Sequence, residues 1–211
     1  ITGLRNLYKL VSLSNLKYIY KGIPRIPKYI IQEYREGLLV GSACEAGELI
    51  RSIVAGQDDA ELEEIAAFYD YLEIQPIGNN EFLKCEEKFQ NVQTDEDLRS
   101  INRKVAELAK KLDKPLIATG DVHFLNPEDR IYRAILMKGR GFQDADMQPP
   151  LYLRTTEDML EEFSYLGKEE AYAAVVENPR RIEEQIERFK PVPTELYSPM
   201  IPGAEKAIET M

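Results

Sequence analysis

Two hundred and eleven residues, 44% hydrophobic and 30% charged, are the proportions of a folded domain and exclude a low-complexity or disordered chain. A net charge of −10 does not read as a nucleic-acid-binding surface by itself, and no apolar run is long enough to span a membrane. Two distant cysteines, Cys44 and Cys85, exclude a disulfide framework and point to a reducing, cytoplasmic setting.

The chain opens Ile1-Thr2-Gly3, with neither an initiator methionine nor a leader pattern, which predicts a segment of a longer polypeptide. Leu4, Leu7, Leu10 and Val11 recur at helical spacing and predict a helix from Gly3 to about Tyr20. A Pro-broken loop over 21–27 and a short helix over 27–34 follow. Lys9, Lys17, Lys21, Arg25, Lys28 and Arg35 crowd this first segment, whereas carboxylates dominate 58–97 and 155–187. An ordinary solvated helix face accounts for most of these charges; the alternative is a local basic patch near the N-terminus. Gly37 to Ala43 reads as a short apolar strand, with helices at about 46–55 and 58–69, and Tyr71 to Gln75 as a second strand ended by Pro76. The stretch 77–93 is polar and reads as irregular. A long amphipathic helix is predicted over 94–112, capped by Thr94 with Asp97 three residues on. Pro115 to Thr119 is the third strand. A helix opening at Asn126-Pro127 runs to about 137, and a loop covers 138–154. A helix capped by Thr155 or Thr156 extends to Leu166. A last helix over about 168–188, bent near Pro179, leads into a Pro-rich tail.

Strand, helix, strand, helix, strand is the order of a parallel α/β sheet, and three strands are few for a complete one. In such sheets chemistry gathers at the C-terminal strand ends. Here those ends carry Ser42-Ala43-Cys44-Glu45, Ile74-Gln75-Pro76 and Asp121-Val122-His123, the last holding the single histidine of the chain. Two residues apart on an extended backbone, Asp121 and His123 point the same way, and a carboxylate beside an imidazole suits a divalent metal or a general base. The plainer alternative is an Asp/His pair in a surface loop bonded to backbone. Cys44 precedes a helix opening at Ala46, whose dipole would lower a thiol pKa; the alternative is a small buried residue at a strand end. Cys85 reads as incidental. Glu45 and Glu48 suit a general base or the solvated face of the next helix equally well.

Four blocks resemble the PolC-type alpha subunit of replicative DNA polymerase III: Gly37 to Glu48, Tyr69 to Pro76, Ala118 to His123, and Arg154 to Leu160. The opening Thr2 to Ser12 is similar to the segment that follows the proofreading exonuclease in that family. The resemblance implies an α/β fold, the C-terminal half of a partial PHP-type (β/α)7 barrel with extra helices, split from its first half by the exonuclease insertion. It implies residues 1–190 as that part of the PHP domain and 191–211 as a Pro-rich linker toward the polymerase palm. By position Cys44, Asp121 and His123 match metal ligands, for zinc or manganese, and Asn15 stands where the family usually has histidine. The parent would be a DNA-directed DNA polymerase with a 3′–5′ exonuclease, using magnesium bound outside this segment. Its partners would be the rest of the polymerase chain, DNA and other replication proteins, with no membrane. The segment itself is expected to be a scaffold with a weakened metal site and no catalytic residue of its own; the alternative is a PHP-type metal-dependent phosphoesterase or pyrophosphatase.

Overall fold

The structure, a computed structural model, describes residues 1–85, 89, 91–192 and 194–195. The chain divides into two compact units, residues 1–38 with 187–211, and residues 39–186.

In the first unit, helix α1 (Thr2–Leu16) stops short of the expected Tyr20, as Lys17 and Tyr18 both donate their N–H groups to the Leu13 carbonyl. The next residues form a hairpin, β1 (Ile19–Tyr20) against β2 (Ile23–Pro24), where a loop was expected. Lys21 and Gly22 join the strands with φ of 51° and 79°. Two consecutive positive φ values make the tight turn whose twist matches a hairpin, and that local geometry ended the helix. Helix α2 (Lys28–Glu33) follows. The start of α1 meets the chain beyond α2 with no side chain between them: a Cβ on Gly3 would lie 1.9 Å from the Gly37 carbonyl oxygen. Gly37 has φ of +75°, so glycine is required there twice over, for space and for conformation. Asn6 Nδ2 donates to the Glu36 carbonyl beside this contact.

The second unit is mixed α/β with mostly helices. Strand β3 (Leu72–Ile74) pairs in parallel with β4 (Leu116–Ala118), and Gly41 forms a parallel bridge to Tyr71 on the other side of β3. The expected first strand is thus present as a path rather than a full strand. Asp70 N–H donates to the Val40 carbonyl, Ser42 N–H to that of Tyr71, and the Asp70 carboxylate accepts the Val40 N–H at 2.7 Å. Alternation puts Leu72, Ile74, Leu116 and Ala118 into the core. Against them pack Leu49 and Val54 of α3 (Glu48–Val54), Leu62 and Ala66 of α4 (Asp59–Ala67), and Met159 and Phe163 at α7 (Thr156–Glu162).

Helix α5 (Asp95–Lys111) carries the largest share, burying Leu98, Ile101, Val105, Leu108 and Ala109 at helical spacing. Its start is the expected capping box: Thr94 Oγ1 accepts the Asp97 N–H, and the Asp97 carboxylate accepts the Thr94 N–H. Its end is a Schellman motif, with Lys114 N–H to the Ala109 carbonyl and Asp113 N–H to that of Lys110, and Asp113 left-handed at φ 51°. Asn102 on α5 donates both to the Gln75 carbonyl past β3 and to the Tyr165 hydroxyl.

Of the polar stretch 77–93 expected to be irregular, Ile77–Cys85 instead forms a 3₁₀ run that buries Asn79, Asn80 and Leu83, while 86–88 and 90 lie outside the described residues. Its packing was hidden by its polar composition. Helix α6 (Arg130–Gly139) buries Ala134 and exposes Ile131, Tyr132, Ile135 and Leu136. The bend expected near Pro179 is a π-turn over Ala173–Glu177 between α8 (Lys168–Tyr172) and α9 (Asn178–Gln185). Proline lacks the N–H that an α-helix would direct at residue 175, and the widened turn accommodates that gap. The tail expected over 191–211 lies mostly outside the described residues.

Leu72, fully buried, is expected to cost about 2–5 kcal/mol of unfolding free energy as Leu72→Ala in urea titrations. Asp113→Gly is expected to raise stability by about 0.5–1 kcal/mol by relieving the left-handed residue. Burial pushes the Tyr165 hydroxyl from its ordinary 10 up to about 12. Its stabilising contribution is therefore complete below pH 10 and is lost as pH rises toward 12. Melting temperature followed across this alkaline window is expected to fall less steeply for Tyr165→Phe.

Candidate functional site

The C-terminal ends of the strand paths bring polar groups onto the face of the sheet opposite the core. Alternation turns Glu73 away from Leu72 and Ile74, and Thr119, just past β4, lies on the same side. Thr119 Oγ1 donates to Glu73 Oε1 at 2.7 Å, and Ser42 Oγ accepts the Glu73 N–H at 2.9 Å. Three neighbouring strand ends are thereby fastened by side chains as well as by backbone.

Beyond Thr119 the chain is not extended. Gly120 leads into Asp121 at φ 48°, a left-handed residue, so the expected strand-like alternation of Asp121 and His123 does not hold. The two converge by another route. His123 Nδ1 lies 2.8 Å from the Asp121 carbonyl oxygen and 3.7 Å from Asp121 Oδ1. A carbonyl only accepts, so Nδ1 of the neutral ring carries the proton and Nε2 holds the lone pair. Such a backbone bond is how a metal-binding histidine is commonly oriented, and it is equally the backbone-bonded surface pair weighed as the plainer reading. Both side chains are half exposed. The loop is held from two sides: Asn79 Nδ2 donates to the Gly120 carbonyl at 3.0 Å, and His123 N–H donates to the Leu151 carbonyl at 2.8 Å. Asn79 is buried, and its Oδ1 has no hydrogen-bond partner.

Cys44 lies in a tight loop after the first strand path. Ala43 has φ of 62°, Gly47 N–H donates to the Cys44 carbonyl, and a Cβ on Gly47 would meet the Ser42 carbonyl oxygen at 2.4 Å. The helix expected at Ala46 begins at Glu48, capped by Gly47. Burial instead pushes the Cys44 thiol up, only partly countered by a backbone hydrogen bond from Ala46. Cys85 is exposed at the end of the 3₁₀ run. The Tyr69 hydroxyl donates to Glu48 Oε2 at 3.4 Å, and burial, followed by the charge and hydrogen bond of Glu48, pushes that phenol up to about 12. Asn15, in the last turn of α1, directs Nδ2 to the Val11 carbonyl at 2.9 Å and to Ser14 Oγ at 3.2 Å.

Among the described residues no three His, Cys, Asp or Glu side chains stand close enough together to hold a metal ion. Asp121 and His123 fit a divalent cation as a pair, by donor chemistry and by the free Nε2; Cys44 is not gathered with them into a group of three. The bracing residues Ser42, Glu73, Thr119 and Asn79 were not singled out from the sequence. Glu73 between Leu72 and Ile74 was the available signal, a lone carboxylate inside a strand.

Alkylation by iodoacetamide at neutral pH, followed by peptide mass spectrometry, is expected to modify Cys85 well before Cys44. Cys44 labelling is expected to rise steeply only as pH climbs past the ordinary thiol range.

Residues 1–76 match the family described as PHP domain. Over the whole chain the sequence is 54% identical to the DNA polymerase III PolC-type of Clostridium perfringens, covering 14% of that protein. It is 54% identical over 98% of the chain to the DNA polymerase III PolC-type of Caldanaerobacter subterraneus subsp. tengcongensis, and 43% identical over all of it to that of Bacillus subtilis, again covering 14% of each. The chain spans about one seventh of the length of these curated relatives. From end to end, therefore, this chain is similar to one segment of PolC-type DNA polymerase III, with the PHP domain marked out in its first 76 residues.

Proposed function

We propose that this chain is a structural part of the PHP domain of a replicative DNA-directed DNA polymerase, the part that follows an exonuclease insertion and leads through residues 191–211 toward the palm. Its α/β unit is then a portion of a (β/α)7 barrel whose other strands lie elsewhere in the parent. The observation that carries the scaffold reading is the use of the strand-end polar groups on one another. Ser42, Glu73 and Thr119 brace three adjacent strand ends, and Asn79 clamps the loop at Gly120. Asn15 supports the same reading: its amide nitrogen is engaged by the carbonyl of its own helix, and an amide is a poor zinc ligand. DNA, the rest of the polymerase chain and other replication proteins are the partners that follow from this placement.

A second reading, a metal-dependent phosphoesterase or pyrophosphatase, is favoured by the geometry at His123, where the Nδ1 bond to backbone presents Nε2 as a ligand. Left-handed Ala43 and Asp121, each next to a candidate ligand or itself one, add to it, because strain of this kind collects at functional sites. Zinc or manganese would be held by the pair Asp121 and His123 and would supply Lewis acidity toward a phosphoester. What the chain's own residues do under either reading is the same: Asn79 and the Leu151 carbonyl fix the loop, and Asp121 fixes the imidazole.

Glu73→Gln is expected to lower unfolding free energy by about 1 kcal/mol or more, since a hydrogen bond to a carboxylate is among the stronger ones. In a phosphodiester hydrolysis assay with added zinc or manganese, the chain and Asp121→Ala/His123→Ala are expected to be equally inactive. Hydrolysis by the parent sequence that disappears in the double variant would overturn the scaffold reading and establish the second.

A further inference from the structure

Charge is distributed unevenly along the chain. Residues 1–38 hold seven Lys and Arg against two Glu, whereas the remaining residues hold 20 Lys and Arg against 35 Asp and Glu. The same 38 residues contain five of the twelve tyrosines. An acidic protein whose first 38 residues are basic and tyrosine-rich is electrostatically polarised, and attraction for polyanions is strongest there.

The hairpin shows how the two residue types are arranged. Tyr20 is opposite Ile23, Ile19 is opposite Pro24, and one rung further on Arg25 N–H donates to the Tyr18 carbonyl. Alternation therefore sets Tyr18, Tyr20 and Arg25 on one face, with Arg25 diagonal to Tyr20. The Arg25 guanidinium lies 5.5 Å from the Tyr20 ring centre, and Lys21, at the tip of the turn, places Nζ 5.4 Å from it. Lys17 stands over Tyr18 at 5.3 Å, and Lys9 over Tyr34 at 5.2 Å. Tyr20 remains 57% exposed although two cations lie over it, and Tyr29, beyond the hairpin at the start of α2, is 67% exposed. The turn itself projects into open space, with nothing within 4 Å of a Cβ on Gly22.

Tyr20, exposed beside two cations, with half-buried Tyr18 beside Lys17 and exposed Tyr29 at the start of α2, makes the combination that binds unpaired nucleotides: bases stack on rings and phosphates meet ammonium and guanidinium groups. We propose that the hairpin face of Tyr18, Tyr20, Lys21 and Arg25, together with Tyr29, is a binding surface for single-stranded nucleic acid. The inference rests on charge and geometry within residues 1–38 and is independent of the metal reading. Duplex offers the same phosphates with its bases already stacked, so it satisfies the cations and leaves the rings unused.

The test is fluorescence anisotropy of a labelled oligothymidylate of about 12 nucleotides, within the site size of small single-strand binders. The 211-residue chain is titrated over a series of salt concentrations. Saturable binding that weakens with salt is expected, with weaker binding to a duplex of equal length. Tyr20→Ala/Tyr29→Ala is expected to weaken binding about tenfold or more, whereas Tyr20→Phe/Tyr29→Phe keeps the rings and binds like the parent sequence. Lys21→Glu, at the open tip, is expected to weaken binding and flatten the salt dependence, and circular dichroism checks that each variant is folded. Absence of saturable binding, equal competition by poly-glutamate, tighter binding to duplex, or unchanged binding by folded Tyr20→Ala/Tyr29→Ala would each overturn the proposal.

Discussion

The second unit is organised by the pairing of Leu72, Glu73 and Ile74 with Leu116, Ile117 and Ala118. Three parallel rungs are too few to be stable alone, so both strands depend on what their side chains meet. The register answers that need. It aligns Leu72 with Leu116 and Ile74 with Ala118 on one face, where α5 closes over them. A slip of one residue would carry Glu73 into the core and turn these apolar groups outward. The polar face is thus fixed by the same choice that fixes the core. Glu73 lands within reach of Thr119 and Ser42, and the loop after β4 emerges beside Asn79.

Where local chemistry determined an outcome, the sequence was readable. Thr94 and Asp97 marked the start of α5, Asn126 and Pro127 the start of the helical segment leading into α6, and Pro179 the break near the end. The parallel order of three strand paths followed from alternating apolar runs and helices. What failed did so for identifiable reasons. Leu16 to Tyr20 continues an apolar pattern, and only the paired left-handed residues Lys21 and Gly22 reveal a hairpin, at a position where lysine gives little warning. Residues 77–85 look solvated, yet Asn79 and Asn80 are buried because the backbone, rather than an apolar stripe, carries them inward. Asp121 and His123 do come together as their spacing suggests, but a left-handed residue joins them rather than strand alternation. Glu73 and Asn79 escaped notice because their partners, Thr119 and Gly120, are more than forty residues away.

The two units present opposite chemistries. The larger is acidic outside and braced within, its polar strand ends bonded to one another. The smaller is basic and aromatic, with Tyr8, Tyr20 and Tyr29 exposed. A segment that fills about one seventh of relatives named as DNA polymerases carries, in this division, two unlike kinds of surface within 211 residues. Whatever ion or phosphate each surface meets, the two respond differently to salt. Screening weakens long-range attraction at the basic unit and leaves short, partly buried bonds such as that of Thr119 to Glu73 nearly untouched.

The contact between Gly3 and Gly37 has a consequence for how such a chain can diverge. Each backbone occupies the space where the other's side chain would stand, so no larger residue at one position can be compensated by a smaller one at the other. Most packed pairs can exchange volume between partners over time and so leave a correlated trace in related sequences. This pair has no volume to exchange. It is a contact that comparison of sequences could register only as two unchanging positions, and that the backbone alone reveals as one.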